Sequence, residues 1–246
     1  MVDIHCHLLP GIDDGAQSWE IAVEMCRLAR EDGIEHIVAT PHANTRFRYE
    51  RAALSKILQR LSDDIGGQPE LSLGCDFHFS YDNYLDLLHH PSEFTIGSTQ
   101  YVLIELDDYS LSASLFDNLQ QLLLRGLVPI ITHPERHLLL RNDFTKLLKW
   151  SEMGCLVQVT ADSILGKWGA SAKAAAEWLI KHNAIHVIAS DAHGSDSRLP
   201  ILSKARDQVA ILAGEDLAQA LVRDNPLSIV KGQVISYSTT HSMVHD

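Results

Sequence analysis

Short apolar runs alternate with longer amphipathic stretches along nearly the whole chain, and this alternation restricts the fold more than any other feature. The runs cover residues 2–6, 36–40, 71–75, 101–106, 128–132, 155–159 and 186–190. Each has the length of a buried β-strand. Helix-like segments such as 18–31, 51–65, 115–125, 144–152 and 171–182 lie between them. Gly33, Gly126 and Gly154 follow three of these segments, where a helix end favours a residue free to adopt positive φ. Repeated strand–helix alternation implies parallel strands with helices packed outside, closed into a barrel or left open as a doubly wound sheet. No glycine-rich phosphate loop follows the first run, which weakens the open nucleotide-binding form. The length of 246 residues is close to the roughly 250 that a (β/α) barrel commonly needs. No linker, low-complexity segment or repeat breaks the pattern, so one domain over 1–235 is expected. From residue 216 a helix and a short extended stretch are expected, followed by a loose polar end over 236–246.

Histidines and carboxylates fall at the ends of these strands. His5 and His7 lie two apart on the first, and residues i and i+2 of a strand point to one side. Asp13 and Asp14 follow in a glycine-flanked loop. The second strand leads to His42, the third to Asp76, the fourth carries Glu105, the fifth leads to His133, and the seventh to Asp191 and His193. The C-terminal ends of barrel strands form the face on which such folds build active sites, so residues of one chemical type in register there imply a metal centre. Mixed imidazole and carboxylate ligands suit Zn²⁺, Mn²⁺ or Fe²⁺ better than a soft metal. Glu105 rises from an apolar strand; a buried carboxylate needs a cation, and its two oxygens could bridge two ions. Cys6, between His5 and His7, should face away from them. Asp13 reads as a loop-shaping residue. His78, His89, His90, His137, His182, His186, His241 and His245 lack this strand-end setting and read as surface or packing residues.

The balance of charge and thiols narrows the chemistry. A formal net charge of −12, from 20 Lys and Arg against 32 Asp and Glu, argues against general nucleic-acid binding, which needs clustered cations. No apolar run reaches the ~20 residues of a membrane helix, the N-terminus is not a signal peptide, and the four cysteines show no disulfide framework. A cytoplasmic location is expected. Clustered metals activate water and neutralise oxyanion charge, both of which phosphoryl transfer needs. Arg136, close after His133, and Arg198, close after His193, could clamp phosphate oxygens with paired hydrogen bonds. A cysteine phosphatase requires Cys, five residues, then Arg; the sixth residues after the cysteines are Ile12, Asp32, Tyr81 and Ala161, so that chemistry is excluded. No G-x-S-x-G elbow is present. An amidohydrolase-type barrel shares the H-x-H start, yet it leaves His42 and Asp14 without a role, and the sixth strand offers no histidine.

The segments Asp3-Ile4-His5-Cys6-His7, Asp13-Asp14-Gly15, Thr40-Pro41-His42, Tyr101-Val102-Leu103-Ile104-Glu105, His133-Pro134-Glu135-Arg136 and Ser190-Asp191-Ala192-His193, in this order, make the sequence resemble the polymerase and histidinol phosphatase (PHP) superfamily. Within it, the sequence is most similar to the bacterial manganese-dependent protein tyrosine phosphatases of capsule and exopolysaccharide loci, the CpsB/YwqE family. The resemblance implies a distorted (β/α)7 barrel with three divalent ions, Mn²⁺ foremost with Fe or Zn²⁺ as alternatives. It implies ligands at His5, His7, Asp14, His42, Glu105, His133, Asp191 and His193, and phosphate contacts at Arg136 and Arg198. The family usually has Glu on the third strand, where Asp76 is one methylene shorter, so either one ion is held differently or the backbone compensates. The implied substrate is phosphotyrosine on the tail of a bacterial tyrosine kinase that controls polysaccharide export. The implied reaction is direct attack by a metal-activated water with no phosphoenzyme. A PHP phosphatase for a small molecule such as histidinol phosphate, and a non-catalytic binding module with a residual metal site, are the two other readings of these residues.

Overall fold

The strands are short, and runs such as 102–104 and 128–131 are apolar on both faces, as helices packed outside a parallel sheet require. A computed structural model describes residues 1–107 and 109–235. The end over 236–246, with His241 and His245, lies outside the described residues. The strands are β1 (Val2–Cys6), β2 (His36–Ala39), β3 (His42–Ala43), β4 (Glu70–Leu73), β5 (Asp76–His78), β6 (Tyr101–Glu105), β7 (Val128–Thr132), β8 (Leu156–Thr160) and β9 (Val187–Ala189). The helices are α1 (Trp19–Glu31), α2 (Arg51–Asp64), α3 (Tyr81–His89), α4 (Pro91–Phe94), α5 (Leu115–Leu124), α6 (Thr145–Met153), α7 (Ala161–Ile164), α8 (Ala170–Lys181), α9 (Ser203–Ala213), α10 (Glu215–Gln219) and α11 (Asn225–Val230). From residue 216 the chain is helical through Val230, with a π-type turn at Ala220–Asp224 joining α10 to α11.

Local chemistry explains the helices. Ser18 caps α1 by accepting a hydrogen bond from the Ile21 N–H at 3.3 Å, and Ala22, Met25, Cys26 and Ala29 give it one buried stripe at helical spacing. Gly33, Gly126 and Gly154 all adopt positive φ just past α1, α5 and α6, as expected for C-terminal caps.

Among the described residues, every strand pairing is parallel. One sheet runs β1-β2-β4 and the other β3-β5-β6-β7-β8-β9. The second and third expected strands, 36–40 and 71–75, are β2 and β4, and each is followed by a further short strand, β3 and β5, that the sequence did not mark. Thr40-Pro41 separates β2 from β3, where proline offers no N–H to the ladder; Gly74-Cys75 separates β4 from β5. Isolated bonds bridge these gaps: Thr40 N to Cys6 O at 2.9 Å, Gly74 N to Ala39 O at 2.8 Å and Asp76 N to Pro41 O at 3.2 Å. Past β9, Asp191 N donates to His5 O at 2.8 Å and His7 N to Ala192 O at 2.9 Å, so the last strand's extension meets the first.

Two apolar clusters occupy opposite strand faces. Ile37, Val102, Ile104, Ile131, Val157 and Ile188 pack toward the helices. Ile4, Val38, Leu103, Ile130, Leu156 and Val187 form the second cluster, on the faces that carry Glu105, Gln158 and Asp191 further along β6, β8 and beyond β9. Strand β1 contains an irregularity: three steps from Asp3 to Cys6 match two from Ile37 to Ala39. A bulge of this kind re-aims side chains, and it lets β1 give Ile4 to the apolar cluster and His5 to the polar end.

Candidate metal centre

At the C-terminal ends of the strands, nine side chains singled out above converge. His5 ends in a buried position with its Nε2 3.2 Å from His7 Nε2. Asp191 Oδ1 lies 3.5 Å from both of these nitrogens, and Asp76 Oδ2 lies 3.6 Å from His5 Nε2. His42 turns Nδ1 to Asp76 at 3.1 Å and Glu105 at 3.6 Å, and Nε2 to Asp14 at 3.4 Å. His193 Nε2 is 3.5 Å from Asp14, and His133 Nε2 is 3.9 Å from Glu105. Among the described residues, three groups have ligand atoms all within 4.8 Å of one another: His7, Asp14, His42 and His193; His5, His7 and Asp76; and His42, Asp76 and Glu105. His7, His42 and Asp76 are each shared between two groups. The shorter Asp76 therefore still reaches His5 and His42.

Two observations show that these residues suit a cation. His5 Nδ1 faces Gln158 Oε1 at 2.9 Å, and His7 Nδ1 faces Asp13 Oδ2 at 2.8 Å. Each acceptor fixes the ring proton on Nδ1, so the two Nε2 lone pairs point at each other across 3.2 Å. Neutral rings so arranged repel unless a cation lies near both, which is how outer partners orient metal-binding histidines. His193 repeats the pattern, with Nδ1 3.0 Å from the Asp191 carbonyl. Second, Asp76 is fully buried and, among the described residues, neither of its oxygens has a hydrogen-bond partner; a buried carboxylate needs positive charge close by.

Without a cation, protons take that place. Burial opposes charge on His7, but Asp13 and Asp191 outweigh it and raise its pKa to about 9. Burial likewise opposes charge on His42, yet Asp14 and Asp76 raise it to about 11. Asp14 is held well below the carboxylate range by His193 and His42. Glu105 is pushed up by burial and by Asp76.

The comparisons with known proteins agree with one another. The family model "Capsular polysaccharide synthesis, CpsB/CapC" matches residues 1–231. The chain belongs to the CpsB/CapC family. It is 34% identical over 205 residues to the tyrosine-protein phosphatase YwqE of Bacillus subtilis (strain 168), covering 80% of this chain and 79% of that protein. It is 27% identical over 244 residues to the tyrosine-protein phosphatase CpsB of Streptococcus pneumoniae, covering 96% of this chain and all of that one, 100%. A crystal structure reported for YwqE from Bacillus subtilis and CpsB from Streptococcus pneumoniae, described as unique metal-dependent tyrosine phosphatases, superposes with a TM-score of 0.89 at 31% identity over 96% of each chain.

In this CpsB/CapC chain the two arginines stand beside the centre. Arg136 Nη1 and Arg198 Nη2 both donate to Asp191 Oδ2, the latter at 2.7 Å, leaving Oδ1 toward His5 and His7. Both guanidiniums lie over the Trp168 ring, with centroid distances of 4.0 and 5.2 Å. Among the described residues, the buried Nε of Arg198 has no partner. Among the described residues, four non-glycine residues have positive φ: His133, Asn183, Asp191 and Arg198. Three of these four belong to the centre. Strained backbone persists only where its surroundings enforce it, and it gathers at functional sites.

Three participants were not anticipated. His78 Nδ1 lies 3.5 Å from Glu105 Oε2 and lines a hollow of about 290 Å³ with Asp14, His42 and Phe47. The rule applied to His5 and His7 would have found it, since Asp76 and His78 are also two apart. Gln158 gives the sixth strand a part in the site, through His5. Trp168 is a lone aromatic in a loop and had no sequence signal. By contrast, His137 and His186 are buried packing residues that accept backbone hydrogen bonds, the first from Leu139 and Leu140, the second from Val157. Asp13 shapes the loop as expected, accepting from Gly15 N and His42 N besides His7, and Cys6 is buried on the helix side.

Gly15 is where this loop tolerates no side chain. A Cβ there would lie 2.1 Å from the His7 carbonyl oxygen and 2.4 Å from His7 Cβ. Gly15→Ala is expected to push Asp13 and Asp14 off His7 and His42 and weaken Mn²⁺ binding roughly 10–100-fold, the usual cost of disturbing ligand-orienting groups. Competition against a chromogenic chelator checks this; wild-type affinity in the variant would contradict it.

Proposed function

We propose that this chain is a metal-dependent protein-tyrosine phosphatase of capsule or exopolysaccharide synthesis, working in the cytoplasm on a phosphotyrosine protein such as the tail of a bacterial tyrosine kinase. On this reading residues 1–235 form one PHP-type domain in which the parallel strands close as a distorted (β/α)7 barrel, the pairing of β1 with the chain beyond β9 being the seam. Three divalent ions, Mn²⁺ foremost, would be held by His5, His7, Asp14, His42, Asp76, Glu105, His133, Asp191 and His193. The observation that carries the reading is the set of three overlapping ligand groups with two arginines at their edge. Bound ions would bring a water's pKa toward neutrality and offset charge on the transferring phosphoryl group.

The chain's own residues do the rest. Arg136 and Arg198 offer planar N–H pairs to the non-bridging phosphate oxygens, and the Trp168 ring beneath them limits their motion. Asp13 and Gln158 hold the His7 and His5 rings in one tautomer. Asp191, pinned by both arginines, links phosphate clamp to metal ligands. The surroundings favour a protein substrate over a metabolite. Hollows of about 290, 500 and 210 Å³ adjoin the centre and share residues with one another or with the clamp: Asp14 joins the first two, and Tyr109, 75% exposed, joins the first and third. An open, branched surface suits a chain segment, whereas a small metabolite is better enclosed.

The test is hydrolysis of a phosphotyrosine peptide beside histidinol phosphate with Mn²⁺ added, for wild type and His42→Ala. Wild type is expected to prefer the peptide, and the variant to lose at least about 10²-fold in kcat/KM, as for removal of a group that stabilises the transition state. Preference for histidinol phosphate would overturn the substrate while keeping the metal chemistry. Inactivity of the wild type on both would favour a binding module.

A further inference from the structure

Arg141 sits in the single turn Leu140–Asn142, between β7 and α6. Its guanidinium makes no hydrogen bond or ion pair among the described residues, and its Nε is buried without a partner. That is unexpected in a chain with 32 acidic against 20 basic residues, where a partly buried arginine could readily find a carboxylate. Arg141 lines the hollow of about 210 Å³ together with Tyr109, Arg136, Leu138, Trp168 and Ala172. One end of this hollow is thus the phosphate clamp, through Arg136 and Trp168. The other end is Arg141. Between them the wall is apolar and open to solvent, with Tyr109 75%, Trp168 38% and Leu138 37% exposed.

Those features together describe a binding subsite. An exposed aromatic and aliphatic wall covers poorly with water and favours a side-chain stem. A guanidinium whose donors are not engaged favours a carboxylate, and partial burial makes that pairing stronger than on an open surface. Its continuity with Arg136 places the subsite next to any phosphoryl group held there.

We infer that Arg141, with Trp168 and Tyr109, forms a subsite that selects an acidic side chain flanking the phosphotyrosine of the substrate protein. This rests on the phosphatase reading above and specifies its substrate class: phosphotyrosine in an acidic stretch. Arg141 is a specificity residue in this scheme and touches neither the reacting phosphoryl group nor the metal ligands.

The experiment uses phosphotyrosine peptides that differ only in carrying Glu, Gln or Lys at the two positions on each side, with p-nitrophenyl phosphate as a substrate lacking flanks. Wild type is expected to favour the Glu over the Lys peptide about tenfold in kcat/KM, a ratio that shrinks as salt is added. Arg141→Gln should bring the ratio near one while turnover of p-nitrophenyl phosphate stays within about twofold of wild type. Arg141→Glu should reverse the preference toward the Lys peptide, a gain that misfolding cannot mimic. An unchanged Glu-to-Lys ratio in both variants, with peptides still hydrolysed, would refute the subsite and leave the phosphatase reading intact. Failure of the wild type on every peptide and on the aryl phosphate would instead bring down that reading, and the subsite with it.

Discussion

Asp76→Asn is expected to lower kcat/KM on an aryl phosphate by about 10³-fold or more, which corresponds to roughly 4 kcal/mol of lost transition-state stabilisation. Asparagine keeps the size and shape but removes the charge. Asp76 belongs to two of the three ligand groups, so one substitution weakens two of them at once. Its Oδ2 stands 3.1 Å from His42 Nδ1 and 3.6 Å from His5 Nε2, and neither oxygen is engaged by any hydrogen bond that asparagine could preserve. The fold itself has little to lose. Asp76 and Glu105 repel across a buried space, with Asp76 helping to push Glu105 upward, while burial opposes the Asp76 charge but His5 and His42 outweigh it and hold its carboxyl below the ordinary range, so the substitution removes a repulsion and an attraction together. The chelated variant should therefore melt within a few degrees of the chelated wild type. Asp76→Glu keeps the charge and should fall between the two in activity. Activity of Asp76→Asn within tenfold of wild type at equal Mn²⁺ would remove Asp76 from the centre.

Much of this was legible because strand periodicity and strand-end chemistry are local properties. The runs at 2–6 and 128–132 coincide with β1 and β7, and the helices expected at 51–65 and 171–182 became α2 and α8 within a residue or so. The closing of β1 against the chain beyond β9 was not: it depends on residues almost the whole chain apart, and the text of either segment names no partner. Nor were the two short strands β3 and β5 that follow β2 and β4. Pro41 and Gly74 were visible, but whether pairing resumes beyond them depends on what each neighbouring strand can still pair with. The segment Tyr81–His89 was not among the helices expected, although Ser80 caps it, accepting from Asn83 N at 3.2 Å, and Tyr84, Leu85, Leu87 and Leu88 give it apolar positions. At the site, residue types and order sufficed to gather nine side chains, since strand parity and the common face of parallel strands fix their direction. The positive φ of His133, Asp191 and Arg198 could not be foreseen, as none is a glycine or asparagine. Arg136 and Arg198 were read as phosphate clamps; in the structure they also hold Asp191, a pairing between chain segments that sequence spacing does not encode.

Removing divalent ions with a chelator is expected to lower Tm by roughly 8–16 °C and to abolish activity in the same titration. Ions present at about 1,000 times their Kd stabilise a fold by ~4 kcal/mol, and each kcal/mol shifts Tm by about 2–4 °C in a chain of this size. The pH dependence gives a sharper form of the same expectation. In the ion-free protein His7 titrates at about 9 and His42 at about 11, above the ordinary 6.5. Both folded-state values are raised, so protonation of these rings stabilises the ion-free fold fully below pH 6.5, and that contribution declines as pH climbs through 9 toward 11. Metal ions need the same nitrogens deprotonated and must expel those protons, so metal affinity rises with pH over the same range. Both effects act in one direction. The Tm gap between Mn²⁺-loaded and chelated protein should widen from pH 6.5 to 9, and Mn²⁺ binding should release protons into a weakly buffered solution. A gap that narrows over this range, or full activity in the chelated protein, would mean that the histidines converge for a reason other than holding metal ions.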